Sequence, residues 1–182
     1  MKSGKIVRSF FAKDGRKVVL RTPKWEDLDD FLEIINSLVD EGADILRTER
    51  VSKEEEIDFL SKVLSRLEKD EMFYLVAEVD GKVVAVSEIS KRGGYEKHVG
   101  VIGIAIRNGF RDLGIGTEIM KTLVEQAQKM GLNVLTLSAF ATNKPAIHVY
   151  EKVGFVQTGT IPKKHFKEGK YIDEIILTKV LE

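Results

Sequence analysis

Two periods alternate along this chain. Apolar residues recur at every second position in some segments, as in a half-buried strand, and at every third or fourth in others, as in an amphipathic helix. Lys5 to Phe11 and Lys17 to Arg21 flank Asp14-Gly15, and this pattern predicts a hairpin. Thr22 is placed to cap a following helix, with Pro23 at its first position, where a missing N–H is tolerated. Leu28, Phe31, Leu32, Ile35, Leu38 and Val39 carry that helix's apolar stripe. An acidic loop, Asp40 to Glu49, leads to a second helix. Ser52 and Glu55 open it in a capping-box pattern, and Ile57, Leu60, Leu64 and Leu67 mark its buried side.

The pattern then turns to strands. Phe73 to Val79 and Val83 to Ile89 flank Asp80-Gly81, a strong short hairpin signal. Arg92-Gly93-Gly94 is a further turn, and His98 to Ile106 reads as a strand rich in Val and Ile. Ile119, Met120, Leu123, Val124 and Ala127 give a helix that Gly131 ends. Asn133 to Ala141 is a strand, and Pro145 to Val153 a short helix closed by Gly154. Phe155 to Ile161 and Tyr171 to Val180 complete the sheet. The order is mixed α/β, with antiparallel hairpins and two strand–helix units in the C-terminal half. No repeat interrupts it, so the expectation is one domain over residues 1–182.

Composition narrows the chemistry. The 182 residues include 29 Lys and Arg against 29 Asp and Glu, for a formal net charge of zero. Nucleic-acid binders carry a basic excess or stripe, so none is expected here. No apolar run approaches the ~20 residues of a membrane span, and the basic start lacks a signal-peptide core. A cytoplasmic protein is the expectation. With no cysteine, thiolate metal sites and a cysteine nucleophile are excluded. His98, His148 and His165 share no metal-ligand spacing, so no metal is expected.

The segment that carries chemistry is Arg111-Asp112-Leu113-Gly114-Ile115-Gly116-Thr117, between a strand and a helix start. Glycines let backbone approach a ligand and adopt positive φ. The first helical N–H groups lack internal partners and point outward with the positive end of the helix dipole. Such a place suits a phosphate or pyrophosphate. A tight turn that needs glycine only for shape is the bland alternative. The pattern is neither a Walker loop nor a dinucleotide fingerprint.

R-x-x-G-x-G after this strand resembles the pyrophosphate-binding motif of the GNAT acetyltransferases. A second block fits the same family: Asn143, Ala146, Tyr150 and Gly154-Phe155 fall in N-x-x-A-x-x-x-Y-x-x-x-G-F. The resemblance covers roughly residues 72 to 180. It implies a mostly antiparallel twisted sheet of about seven strands flanked by four helices, with acetyl-coenzyme A as cosubstrate. Ile104, Ala105 and Ile106 would pair with the pantetheine amides, and Arg111 to Thr117 would hold the pyrophosphate. Asn143 and Ala146 would lie beside the pantetheine arm, and Tyr150 near the thioester sulfur as general acid. Strands splayed around Ile104 and Leu137 would open the cleft.

The resemblance leaves the general base open. The positions where many members carry a glutamate hold Gly100 or Val101, and Ser138. His98 shares the side-chain parity of Gly100 and is the leading candidate; Glu88 and a water chain follow. His148 and His165 are expected at the surface or in packing. The acidic loop (Glu41, Asp44, Glu49) either lines the acceptor site or is simply solvated. Tyr171 to Glu174 either shapes the acceptor pocket or forms a homodimer contact. The implied activity is direct acetyl transfer to a primary amine of a small molecule or protein N-terminus. A coenzyme A-binding sensor and a plain phosphate-binding module are the rival readings.

Overall fold

The computed structural model describes residues 1–181. Eight strands build one sheet: β1 (Ile6–Phe11), β2 (Lys17–Arg21), β3 (Met72–Val79), β4 (Lys82–Lys91), β5 (Val99–Ile106), β6 (Val134–Phe140), β7 (Val156–Lys167) and β8 (Lys170–Val180). Their order across the sheet is β1-β2-β3-β4-β5-β6-β8-β7. Every neighbouring pair is antiparallel except β5 and β6. Four helices flank it: α1 (Leu28–Asp40), α2 (Lys53–Glu68), α3 (Ile115–Lys129) and α4 (Lys144–Lys152).

Strand β3 shows how the period of two builds both sides. Phe73, Leu75, Ala77 and Val79 enter the larger core with Ile119, Met120 and Leu123 of α3 and Tyr150 of α4. Met72, Tyr74 and Val76 enter a smaller core with Phe31, Ile34 and Leu38 of α1 and Leu60 and Val63 of α2. Successive side chains point to opposite faces, so the sheet carries one helix pair on each face.

Four expectations are corrected. The sheet holds eight strands, not about seven. Thr22 caps no helix: it is buried, and its hydroxyl bridges the Lys5 N–H and the Lys2 carbonyl, both at 2.8 Å. A short 3-10 turn, Trp25–Asp27, intervenes before α1, and buried Asp27 takes the Lys24 N–H at 2.9 Å while pairing with buried Arg21 at 2.7 Å. On α2 the buried stripe is Glu56, Leu60, Val63 and Leu67, and Ile57 faces solvent. The Ser52–Glu55 capping box is present. Finally, β7 runs on past Ile161 to Lys167 and turns back into β8 at Glu168-Gly169, both at positive φ. Two consecutive left-handed residues suit the twist of a tight hairpin.

Candidate functional site

A parallel pair that stops early creates the main opening. β5 and β6 pair only from Val99↔Val134 through Val101↔Thr136. From Ile102 to Ile106, β5 keeps β4 as its neighbour, while Leu137 to Phe140 of β6 stay with β8. The strands part between Ile104 and Leu137. Along Ile102–Ile106 one edge of β5 therefore has no strand partner among the described residues. Its backbone groups are available to an extended polar ligand, because such groups seek partners when desolvated.

At the end of that edge stands the glycine turn. Gly114 is the N-cap of α3 with φ 85°, and Asp112 also has positive φ at 62°. No side chain caps this helix start. The first bond back into the turn is the Glu118 N–H to the Gly114 carbonyl, at 3.2 Å. The N–H groups before it face outward with the positive end of a 15-residue helix, which attracts an anion. Gly116 works differently from the expectation. Its φ is not positive; a Cβ there would stand 3.1 Å from Ile106 Cδ1 and 3.9 Å from Val149 Cγ1. Gly116 thus lets α3 sit close to the end of β5.

Arg111 is exposed, donates from Nε to the Ile106 carbonyl at 3.0 Å, and pairs with Glu41 just beyond α1. Lys13, which sequence reasoning missed, also reaches this turn. Its N–H donates to the Leu113 carbonyl at 3.1 Å, and its aliphatic chain would touch a Gly114 Cβ at 4.0 Å. Nothing local in the sequence links residue 13 to residue 114; only the packing of the first hairpin against the turn does.

Across the opening, Asn143 caps α4, taking the Ala146 N–H on Oδ1 at 3.3 Å. Ala146 is partly buried against the larger core. Tyr150 lies on the same helix, only 7% exposed. Burial pushes its phenol up to about 12, so it is a proton donor at neutral pH.

The leading base candidate is not at this opening. His98 is exposed, in the turn before β5, and its carbonyl accepts from the Asn133 and Val134 N–H groups. That is the closed end of the β5–β6 pair, about 25 Å along the strand from Ile106 at ~3.3 Å per residue. Its parity is that of Gly100 and Ile102, which face the larger core, opposite to the face on which Glu88 stands over Gly103, and its place is at the closed end of the strand pair. Gly100, where a glutamate was sought, has no room for one: a Cβ would meet Leu132, Ile89 and Leu135 side chains at 2.8–2.9 Å.

Glu88 is placed well. It sits on β4 opposite Gly103, one residue before the edge segment Ile104–Ile106. Its Oε1 and Cγ lie 3.5 Å from where a Gly103 Cβ would stand, so the missing side chain makes the room that the carboxylate occupies. Burial raises its pKa, with Arg66 acting against the shift. Ser138 on β6 is exposed.

The acidic loop is pinned rather than freely solvated. Asp44 pairs with Lys167 of β7 at 2.6 Å and accepts from Thr142 at 2.9 Å. Glu41 pairs with Arg111. Asn36 of α1 ties the loop's end by two bonds to the Val51 backbone, at 2.7 and 3.1 Å. His148 is exposed on α4. His165 stacks on Phe140 with ring centroids 3.8 Å apart. Among the described residues no three His, Asp or Glu side chains converge as metal ligands, and no helix is long and apolar enough to cross a membrane.

A family model described as Acetyltransferase (GNAT) family matches residues 33–155. The L-amino acid N-acetyltransferase AaaT of Escherichia coli is 31% identical over 108 residues, 58% of this chain and 67% of that protein. A ribosomal-protein-alanine N-acetyltransferase structure from Brucella melitensis shares 26% identity at TM-score 0.79, covering 89% of this chain and 99% of its own. A phosphinothricin acetyltransferase from Sinorhizobium meliloti, solved with AcCoA, superposes at TM-score 0.80 with 20% identity, covering 90% of this chain and 88% of its own.

Proposed function

The chain belongs to the GNAT acetyltransferase family and is an acetyl-coenzyme A-dependent N-acetyltransferase, and from that premise we propose that it acetylates the primary amine of a small amino-acid-like acceptor by direct attack, with Glu88 as the base and Tyr150 as the acid. We also read residues 1–182 as one catalytic domain, since a single sheet runs from Ile6 to Val180.

The observation that carries the mechanism is the Glu88 carboxylate over Gly103 at the parting of β5 and β6. The residues present fit the cosubstrate. The free edge Ile104–Ile106 offers amide and carbonyl groups to the pantetheine arm. The turn Arg111 to Thr117 offers unbonded N–H groups to the pyrophosphate, with Arg111 and Lys13 as nearby positive charge. Asn143 and Ala146 form the other wall. The acetyl thioester supplies the carbonyl that the amine attacks.

Glu88 takes a proton from the ammonium of the acceptor, and its raised pKa brings it closer to that task than an ordinary carboxylate. The amine nitrogen bonds to the carbonyl carbon, and a backbone N–H on the free β5 edge stabilises the charge growing on the oxygen. The C–S bond breaks, and the Tyr150 hydroxyl gives its proton to the departing sulfur. The nitrogen, cationic after attack, gives its second proton through solvent to the Tyr150 phenolate, and Glu88 releases its own proton to solvent, so one proton leaves for each acetyl group transferred.

The acceptor class rests on the relatives, one named for L-amino acids and another for phosphinothricin. The alternative, a protein N-terminal alanine, matches the name of the Brucella structure. A panel of L-amino acids, phosphinothricin and an alanine-starting peptide, read by free-thiol release from acetyl-coenzyme A, tests this. Release with the small amines is the expected result. Release with the peptide alone would replace the acceptor class, and release with none would remove the proposed acceptors.

A further inference from the structure

Opposite Glu88, on the far wall of the opening, stands a histidine with half its hydrogen bonding unused. Leu135, Leu137 and Ala139 of β6 and Ile175 and Leu177 of β8 face the larger core. By alternation, Phe140 and Glu174 face the other side of the sheet, where they stand opposite one another in register. Glu88 shares that face: it pairs in register with Tyr74, which belongs to the smaller core under α1 and α2. His165 of β7 lies flat on Phe140, 12° from parallel. The two carboxylates therefore flank the β5–β6 opening on one face, Glu88 from the β4–β5 side and Glu174 from the β6–β8 side.

The ring's orientation follows from its partner. His165 Nε2 lies 3.2 Å from Glu174 Oε2, and Lys164 Nζ approaches Oε1 of the same carboxylate at 3.4 Å. An ionised carboxylate only accepts, so Nε2 carries the proton and donates. In the neutral ring Nδ1 then keeps a lone pair. The side chain is 10% exposed, yet Nδ1 has no hydrogen-bond partner among the described residues. No buried side-chain polar atom that is sealed from solvent lacks a partner, so Nδ1 opens onto accessible space. A partly buried ring held on one nitrogen, packed on one face and left free at the other nitrogen is a prepared acceptor for a donor from outside.

We propose that His165 is an acceptor-binding residue of the transfer site, its Nδ1 taking a hydrogen bond from an N–H of the incoming amine. The proposal rests on the acetyl-transfer reading above. Glu174 fixes the tautomer and places negative charge behind the ring, which favours a cationic or N–H-rich partner. Phe140 fixes the plane. Lys163, Lys164 and Lys167 are the cations of the ring's strand; Lys163 lies over the Tyr171 ring at 5.7 Å, and Lys164 and Lys167 are engaged with Glu174 and with Asp44. The amine is then held between His165 and Glu88, which is the orientation that direct attack needs.

The test is His165→Gln, read with the best acceptor from the amine panel. The Gln amide nitrogen reaches Glu174, but nothing accepts at the Nδ1 position. The acceptor KM should rise about ten-fold or more, the loss of one hydrogen bond to a charged group, while the KM for acetyl-coenzyme A and the melting temperature stay as in the wild type. An acceptor KM within about two-fold of wild type, on a folded variant, overturns the inference and leaves the acetyl-transfer reading standing. Should the variant not fold, nitrogen-15 NMR of the wild-type imidazoles with coenzyme A bound decides. Adding the amine should move the His165 Nδ1 signal and leave those of His98 and His148; an unmoved Nδ1 overturns the inference. A wild type that acetylates no amine overturns both.

Discussion

Replacing Gly114 and Gly116 separately by alanine distinguishes the shape of the turn from the approach of a ligand to it. At Gly114 an added Cβ would meet only the Lys13 side chain at 4.0 Å, but φ is 85°. The cost is therefore backbone strain, roughly 1–2 kcal/mol for an L-residue in the left-handed region. For a chain of this length, each kcal/mol moves Tm by about 2–4 °C, so Gly114→Ala should melt about 2–8 °C lower. At Gly116 the backbone is not left-handed, and the new methyl would press Ile106 Cδ1 from 3.1 Å. That tightness falls on the end of a flexible side chain. Alanine also gains about 0.5–1 kcal/mol over glycine inside a helix. Gly116→Ala should therefore melt close to the wild type. Its methyl nevertheless displaces Ile106, the last residue of the free β5 edge, and crowds the first turn of α3. Loss or lengthening of one charge-assisted hydrogen bond to the cosubstrate should weaken binding about ten-fold. Differential scanning fluorimetry and calorimetric titration with acetyl-coenzyme A read the two effects. A Gly114→Ala protein that melts with the wild type would refute the strain argument. A Gly116→Ala protein that binds with wild-type affinity would refute close approach at the helix start.

Tyr150→Phe should slow turnover by about 10²–10⁴ with cofactor affinity and Tm little changed, because the hydroxyl has no hydrogen-bond partner to lose among the described residues; turnover within a few-fold of wild type would reduce Tyr150 to a packing residue. Glu88→Gln should reduce turnover by a similar factor, measured at saturating acceptor. It should also raise Tm at neutral pH. Burial raises the folded-state pKa of Glu88, so this carboxyl's contribution is favourable below its unfolded pKa and is lost as pH rises through the folded one. The Tm advantage of the glutamine should shrink on acidification through that window, and an advantage that grows instead would contradict the burial argument. Glu41→Gln releases Arg111 from its ion pair and should tighten acetyl-coenzyme A binding by up to about five-fold, the scale of an exposed pair; calorimetry showing weaker binding would mean that Glu41 positions Arg111 instead of competing for it.

Local chemistry decided much of this protein from the sequence alone. Period-two apolar patterning marked the strands, Asp80-Gly81 and Asp14-Gly15 their turns, and Ser52 with Glu55 the start of α2. The glycine turn, the Asn143–Tyr150 block and the parting of strands near Ile104 and Leu137 were legible too. These signals act within a few residues, or through a resemblance carried by such short segments. The failures all needed distance. Thr22 looked like a cap until Lys2 and Lys5 took its hydroxyl, and Ile57 looked buried until the docking angle of α2 turned Glu56 and Val63 inward. His98 shares the parity of Gly100, which faces the larger core and not the Glu88 side, and parity says nothing about which end of β5 opens. That end is set where hydrogen bonding to β6 stops, after Val101 and Thr136. The same parting brings Glu88 to the opening, and strand pairing sets His165 on Phe140 across from it. Lys13 meets Gly114 only through packing of the first hairpin. Side-chain periodicity is written in neighbouring residues, whereas the meeting of residues tens to a hundred positions apart is decided by which backbone groups find partners and which are left free.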